Sequence, residues 1–277
     1  MVNGIKLISL LEEYKKKADN KFEFLKLIRE AEIIEEVFHS NAIENSTLTL
    51  DETERILLDM EVEKIRSIRE AYEAKNLYRV YNYIEDKNPE INLDTILLCH
   101  KFLLDNISEG IAGRIRIGNE NVRVGNHIAP EPEFMSPLLD ELLLRKIKKI
   151  EDVVKFHVDF ERLHPFIDGN GRIGRVIVNW QLKQLKLPPI IVRSESKITN
   201  YYPFLSKTDY NGLTKIWNLL LSESLNKRLA YLSGRKIITL SEYAKTNTKN
   251  SLSSLINKAN RQTIPAFRIR GVWNIAE

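Results

Sequence analysis

Cysteine is nearly absent: Cys99 is the only one in 277 residues. A single thiol excludes an internal disulfide and any cysteine-rich zinc site. It lies in an apolar helical run at 93–103, which predicts a buried, reduced side chain. Long hydrophobic runs are missing too, and none approaches the roughly 20 residues that cross a bilayer. Residues 1–17 mix Glu12, Glu13 and lysines with leucines, without the apolar core of a signal peptide. A cytoplasmic protein with no membrane partner is expected. Histidine is scarce, at five residues. His157 and His164 stand seven apart, but no third nitrogen or thiolate ligand is spaced to join them, so they predict no metal site.

What is present fits a packed protein: 43% apolar residues supply a core and 29% charged residues a solvated surface. The net charge of +4 hides an asymmetry. Residues 235–277 carry eight basic and two acidic side chains, so they are basic while the rest of the chain is slightly acidic.

The chemistry concentrates in His164-Pro165-Phe166-Ile167-Asp168-Gly169-Asn170-Gly171-Arg172-Ile173-Gly174-Arg175. An apolar run at helical spacing follows at 176–187, so both arginines should sit in the first turns of a helix. A Gly-Asn-Gly turn that feeds a helix is an anion cradle, because unpaired backbone N–H groups point at the guest. Arg172 and Arg175 share a face, and guanidinium forks suit phosphate oxygens. Asp168 cannot favour a phosphate by itself. A carboxylate in an anion site implies a bridging divalent cation, with Mg²⁺ the usual choice. His164 is the side chain here that takes a proton near neutral pH. Phosphoryl or nucleotidyl transfer with His164 as base is the expected chemistry.

These twelve residues resemble the signature of the Fic family, His-Pro-Phe-x-Asp/Glu-Gly-Asn-Gly-Arg-x-x-Arg, with every specified position met. The resemblance implies a mostly α fold: a helical bundle with a β-hairpin flap over the active site. It also implies an enzyme that moves AMP from ATP onto a Ser, Thr or Tyr hydroxyl of a target protein, itself included, and releases pyrophosphate. His164 would be catalytic and Asp168 the Mg²⁺ ligand. Gly169, Asn170, Gly171, Arg172, Ile173, Gly174 and Arg175 would bind ATP. Upstream, Ser40-x-x-x-Glu44-Asn45 is similar to the family's inhibitory motif. There the glutamate pairs with the second signature arginine, here Arg175, and denies it to the γ-phosphate. By the same resemblance Val124, Gly125, Asn126 and His127 contact nucleotide, and Tyr201 and Tyr202 border the adenine. Asp209 stands where the family often has Asn, a departure that weakens its assignment as an ATP contact.

The chain in order predicts two amphipathic helices at 5–38, a long charged helical stretch at 52–86 and a helix at 95–104 capped by Asn92 or Asp94. His100 is expected to be a core histidine. Alternating polar and apolar residues at 113–118 and 121–128, around a turn at 118–120, predict the flap hairpin. Helices are expected at 134–144, 153–162, 194–205 and from Gly212 onward. The tail predicts helices at 241–245 and 251–259 and a hairpin turning at Arg270-Gly271. With its basic charge it resembles a small α/β winged helix-turn-helix module that could take DNA.

The expected domains are 1–60, N-terminal helices with an inhibitory helix at about 40–46; 61–233, the catalytic core with flap 113–128 and signature 164–175; and 234–277, the tail. Three rivals stay open: AMP removal with Glu44 aligning water, transfer of another phosphate-bearing group, and a DNA-binding regulator whose Fic part senses nucleotide. Homodimer and monomer also both remain open.

Overall fold

Helix follows helix from the start of the chain because apolar residues recur at helical spacing and polar side chains cap the ends. The computed structural model describes residues 4–60, 67–247 and 250–277. The helices are α1 (Gly4–Ala18), α2 (Phe22–Ile43), α3 (Leu50–Leu57), α4 (Ile68–Lys87) and α5 (Leu93–Leu103). They continue as α6 (Met135–Leu143), α7 (Ile150–Leu163), α8 (Asn170–Gln184), α9 (Lys197–Asn200), α10 (Tyr202–Ser206), α11 (Tyr210–Leu232), α12 (Leu240–Thr246) and α13 (Leu252–Asn260). Five short strands complete the described residues: β1 (Arg123–Val124), β2 (His127–Ile128), β3 (Ile237–Thr239), β4 (Ala266–Ile269) and β5 (Val272–Ala276).

The chain falls into two compact units. One holds the residues up to Glu32, Pro188–Ile190 and Lys215–Glu277. The other holds Ile33–Leu187 and Ile191–Thr214. The division falls within α2 and within α11.

The second unit carries the large core. Val37, Leu77, Val80, Ile96, Leu103, Phe160, Phe166 and Trp180 are almost wholly removed from water. Helix α7 packs on α8, and α4 packs on both α5 and α8. Ends are set locally. Thr49 and Glu52 form a reciprocal capping box at α3, and Asn92 caps α5 as expected. Cys99 is buried in this core, and its thiol is pushed up to about 12 by burial.

Three expectations needed correction. Residues 52–86 are not one helix: α3 ends at Leu57, and α4 starts only after Ser67, whose hydroxyl accepts from Glu70 N–H. Residues 61–66 of that predicted stretch, with the charged Lys64 and Arg66, lie outside the described residues. The stretch 194–205 is a 3-10 turn and two short helices, because Pro203 lacks the N–H that would continue α9 and instead sits in the first turn of α10. The flap hairpin shrinks to β1 and β2, paired Arg123↔Ile128 and Val124↔His127 with the turn at Gly125-Asn126. Residues 113–118 form no strand. Their bonds go elsewhere: the buried Arg116 guanidinium donates to the carbonyls of His164 at 2.8 Å, Glu120 at 2.9 Å and Pro130 at 2.9 Å. Arg114 forks onto Glu120 at 2.7 and 2.8 Å. Charge-assisted bonds to loop carbonyls thus replace a β ladder.

In the first unit, Leu240, Leu255, Ala259, Ala266 and Ile275 make a small core. The sheet order is β3-β5-β4, all antiparallel. The expected hairpin turns at Arg270-Gly271, and β3 is a strand that the sequence reading did not expect.

Arg116→Ala should destabilise the protein by about 3 kcal/mol or more, since three half-buried carbonyls lose one buried donor together. Urea unfolding measures this, and an unchanged midpoint would refute the anchoring role.

Candidate active site

The site forms where α7 ends and α8 begins. His164 closes α7 in the left-handed region at φ 50, ψ 61, which turns the chain sharply and leaves its ring beside the following loop. Its Nδ1–H donates to the Glu161 carbonyl at 3.1 Å, so Nε2 is the nitrogen left to take a proton. Burial first, then nearby Arg116, lowers the His164 pKa and keeps the ring neutral. Asn170 ties the loop shut: its side chain accepts from Phe166 N–H at 2.9 Å and donates to Phe166 O at 2.8 Å. Gly169, with φ 85, caps α8, and Asp168 Oδ1 accepts from its N–H at 2.6 Å. The N-terminus of α8 therefore opens onto the loop with Asp168 beside it.

Arg172 and Arg175 leave α8 in its first turns and are both buried. Arg172 lies 3.2 Å from Asp168 and 3.7 Å from Glu73. Arg175 reaches the end of α2. Its Nε donates to Ser40 Oγ at 2.9 Å, and Nη2 donates to Ser40 O at 3.0 Å and to Glu44 Oε1 at 2.8 Å. Burial works against the charge of Arg175, but Glu44, Tyr201 and Glu161 outweigh it and raise its pKa. The close approach needs Gly171: a Cβ there would stand 2.4 Å from Glu44 Oε1 and 3.0 Å from Arg175 Nη1. Asn45 accepts from Lys197 Nζ at 3.0 Å, and Lys197 and Tyr202 also donate to the Ile43 carbonyl.

Tyr201 is buried, with its hydroxyl 2.7 Å from His157 Nε2. On the flap, His127 Nδ1 accepts from Arg162 Nη2 at 3.2 Å and Nε2 donates to Arg162 O at 3.1 Å. This pair ties the flap turn at Val124, Gly125 and Asn126 to Arg162, two residues before His164 in the chain. Ile173 faces the core, and Gly174 lies against Glu161. Asp209 Oδ1 accepts from Gly212 N–H at 2.8 Å at the start of α11.

The Fic/DOC family model matches residues 90–182. A protein adenylyltransferase Fic of Nematostella vectensis is 30% identical over 197 residues, which cover 67% of this chain and 45% of the relative. Protein adenylyltransferase fic-1 of Caenorhabditis elegans is 31% identical over 189 residues, or 64% of this chain and 37% of that one. This chain carries a Fic domain. The crystal structure of a Fic domain containing signaling protein from Bacteroides thetaiotaomicron superposes with a TM-score of 0.73 at 23% identity, covering 83% of this chain and 97% of that one. That likeness supports the fold. The chain spans less than half the length of the curated relatives it matches.

Several residues that brace this site were given no part in it by the sequence reading, although His100 was expected in the core and is buried there. His100 is one: its Nδ1 accepts from Gly113 N–H and its Nε2 donates to Asp168 O, both at 3.0 Å, while Phe166 stacks on the ring at 3.8 Å. Burial pushes its pKa down to about 4, so it is a neutral strut. Arg69 and Glu73 of α4 are others. Arg69 lies 3.8 Å from Asp168 and its Nε donates to Glu73 at 3.1 Å. Their residue types on a charged helix look like a solvated face until α4 is packed on α8.

Among the described residues no group of three His, Cys, Asp or Glu side chains is placed to hold a metal ion. A cation that arrives on phosphate oxygens needs less. Mg²⁺ keeps waters and takes one or two carboxylates, and Asp168, with its side chain 41% exposed beside the α8 N-terminus, fits that mode.

Ser40→Ala should cost about 1.5–3 kcal/mol, since it strips a buried charged donor of its acceptor. Glu44→Ala should cost less, about 1 kcal/mol, because that carboxylate is half-exposed and water replaces it. Denaturant midpoints test the order, and equal losses would contradict it.

Proposed function

We propose that this protein is a cytoplasmic adenylyltransferase that moves AMP from ATP to a hydroxyl side chain of a target protein, and that Glu44 inhibits it by holding Arg175. The observation that carries the reading is the three-bond clasp of Ser40 and Glu44 on Arg175, set one helical turn from the Gly-Asn-Gly cradle. The adenylyltransferase names of the relatives support the chemistry.

In this reading Gly169, Asn170 and Gly171 offer the backbone of the α8 N-terminus to the α- and β-phosphates, and Arg172 adds its guanidinium. Arg175 takes the γ-phosphate once Glu44 withdraws. Asp168 would hold a Mg²⁺ carried by ATP, which neutralises phosphate charge. Val124 to His127 flank the nucleotide from the flap, and Tyr201 and Tyr202 border the base. His164 Nε2 accepts the proton of the target hydroxyl as its oxygen bonds to the α-phosphorus. The bond to the β-phosphate bridging oxygen breaks, and pyrophosphate leaves with the electron pair. Positioning and preorganised charge supply most of the rate. The flap would align the target by adding it as a strand, since β1–β2 is a two-stranded sheet with free edges among the described residues.

Glu44 also favours a second reading. Its half-exposed carboxylate stands against Gly171, where it could align water to hydrolyse an AMP–protein bond. AMP-modified target separates the two, because removal would require Glu44. For the tail, the β3-α12-α13-β4-β5 order and the basic charge support a winged-helix-like module that takes DNA phosphates.

Labelled ATP tests the main reading. Wild type should label weakly, Glu44→Gly more strongly, and His164→Ala not at all. Equal labelling by wild type and Glu44→Gly would dismiss the latch. Because the His164 pKa is lowered, its base form survives into acid, so the acid limb of kcat for Glu44→Gly should fall below the ordinary imidazole value of about 6.5.

A further inference from the structure

Glu161 is a carboxylic acid in the wrong place for an ordinary surface residue. It lies in the last turn of α7, is only 8% exposed, and its Oε1 is buried without a hydrogen-bond partner. An unsatisfied buried carboxyl oxygen is costly, so something must repay it. The chain also makes room for it: a Cβ at Gly174, on α8, would meet Oε1 at 2.5 Å.

The groups around Glu161 narrow its role. On its own helix His157 Nε2 stands 3.9 Å away, but burial pushes that ring down to about 3, so it brings no charge. From the α9–α10 junction comes Tyr201, held neutral by burial. From the end of α2 comes the Glu44 carboxylate, and from α8 the Arg175 guanidinium. Arg175 directly follows Gly174, the residue against which Oε1 packs, and is the cation whose charge acts on Glu161.

We propose that Glu161 is a positioning residue, the resident anion behind Arg175 that keeps its guanidinium folded toward the phosphate site after Glu44 withdraws. The proposal rests on the adenylyl-transfer reading. While the latch is closed, Arg175 is satisfied by Ser40 and Glu44. Once it opens, a buried arginine needs another counter-charge or it swings out to water. The proton inventory agrees. With the latch closed, burial and then Glu44 push Glu161 up to about 7, against the pull of Arg175. Withdrawal of Glu44 removes a repelling anion, so Glu161 titrates lower and ionises when Arg175 needs it.

ATP and AMP differ by the β- and γ-phosphates, which makes them the probes. In Glu44→Gly protein, calorimetry should show ATP bound more tightly than AMP. Absence of that difference would refute the adenylyl-transfer reading and not this inference alone. Adding Glu161→Gln should weaken ATP by about tenfold and leave AMP unchanged, with Glu161→Asp recovering part of the loss. Glu161→Asp also serves if the glutamine variant does not fold: it should weaken ATP less than glutamine would and leave AMP unchanged. An equal loss for both nucleotides, or no loss in either variant, overturns the proposal.

Discussion

A guanidinium removed from water must be answered by acceptors, and at Arg175 the answer defines the molecule. Ser40 supplies a hydroxyl and a carbonyl, and Glu44 supplies a carboxylate. These partners lie about 130 residues away in sequence, so the end of α2 has to be delivered to the start of α8. Helix α2 stays in place because Lys197 and Tyr202 donate to its last carbonyls, groups that a helix terminus leaves unpaired. The Gly171 side of α8 yields space for the carboxylate. Remove the buried charge and none of these features has a purpose.

The strength of that clasp sets what it can do. Ser40 is buried with the arginine, but the Glu44 side chain is 39% exposed. Water therefore competes for one partner and not for the other. A fully buried ion pair would be a permanent strut, and a fully exposed one would be worth almost nothing. An intermediate pair is within reach of what a nucleotide's phosphates could offer in exchange. This is the physical basis for reading Glu44 as a reversible latch and Ser40 as its fixed hinge.

The His164 side of the site follows a different logic, in which rigid neutral parts hold a turn. His164 sits in a left-handed conformation that most residues avoid. Its carbonyl is held by Arg116, its ring by the Glu161 carbonyl, and the following loop by His100 and Asn170. Burial keeps His100, His157 and His164 shifted toward the neutral form, so protonation does not disturb the scaffold near neutral pH. The flap hangs on the same turn through His127 and Arg162.

Periodicity and local chemistry by themselves determined a good deal here. The helical class, the cradle at the head of α8 and the buried Cys99 were legible because each depends on neighbours within a few residues. The tail hairpin at Arg270-Gly271 was legible for the same reason. The resemblance to a known signature extended that reading to Glu44 and Arg175, but the twelve residues do not contain the pairing. Residues 113–118 were misread because an alternating pattern predicts a strand, and nothing local reveals that Arg116 turns inward to gather carbonyls. Strand β3 was missed because its partner, β5, lies at the other end of the tail. Arg69, Glu73, His100, Glu161 and Lys197 have ordinary side chains in ordinary stretches. Only tertiary packing decided their roles, since a charge acquires meaning from the burial and counter-charge that distant elements bring to it.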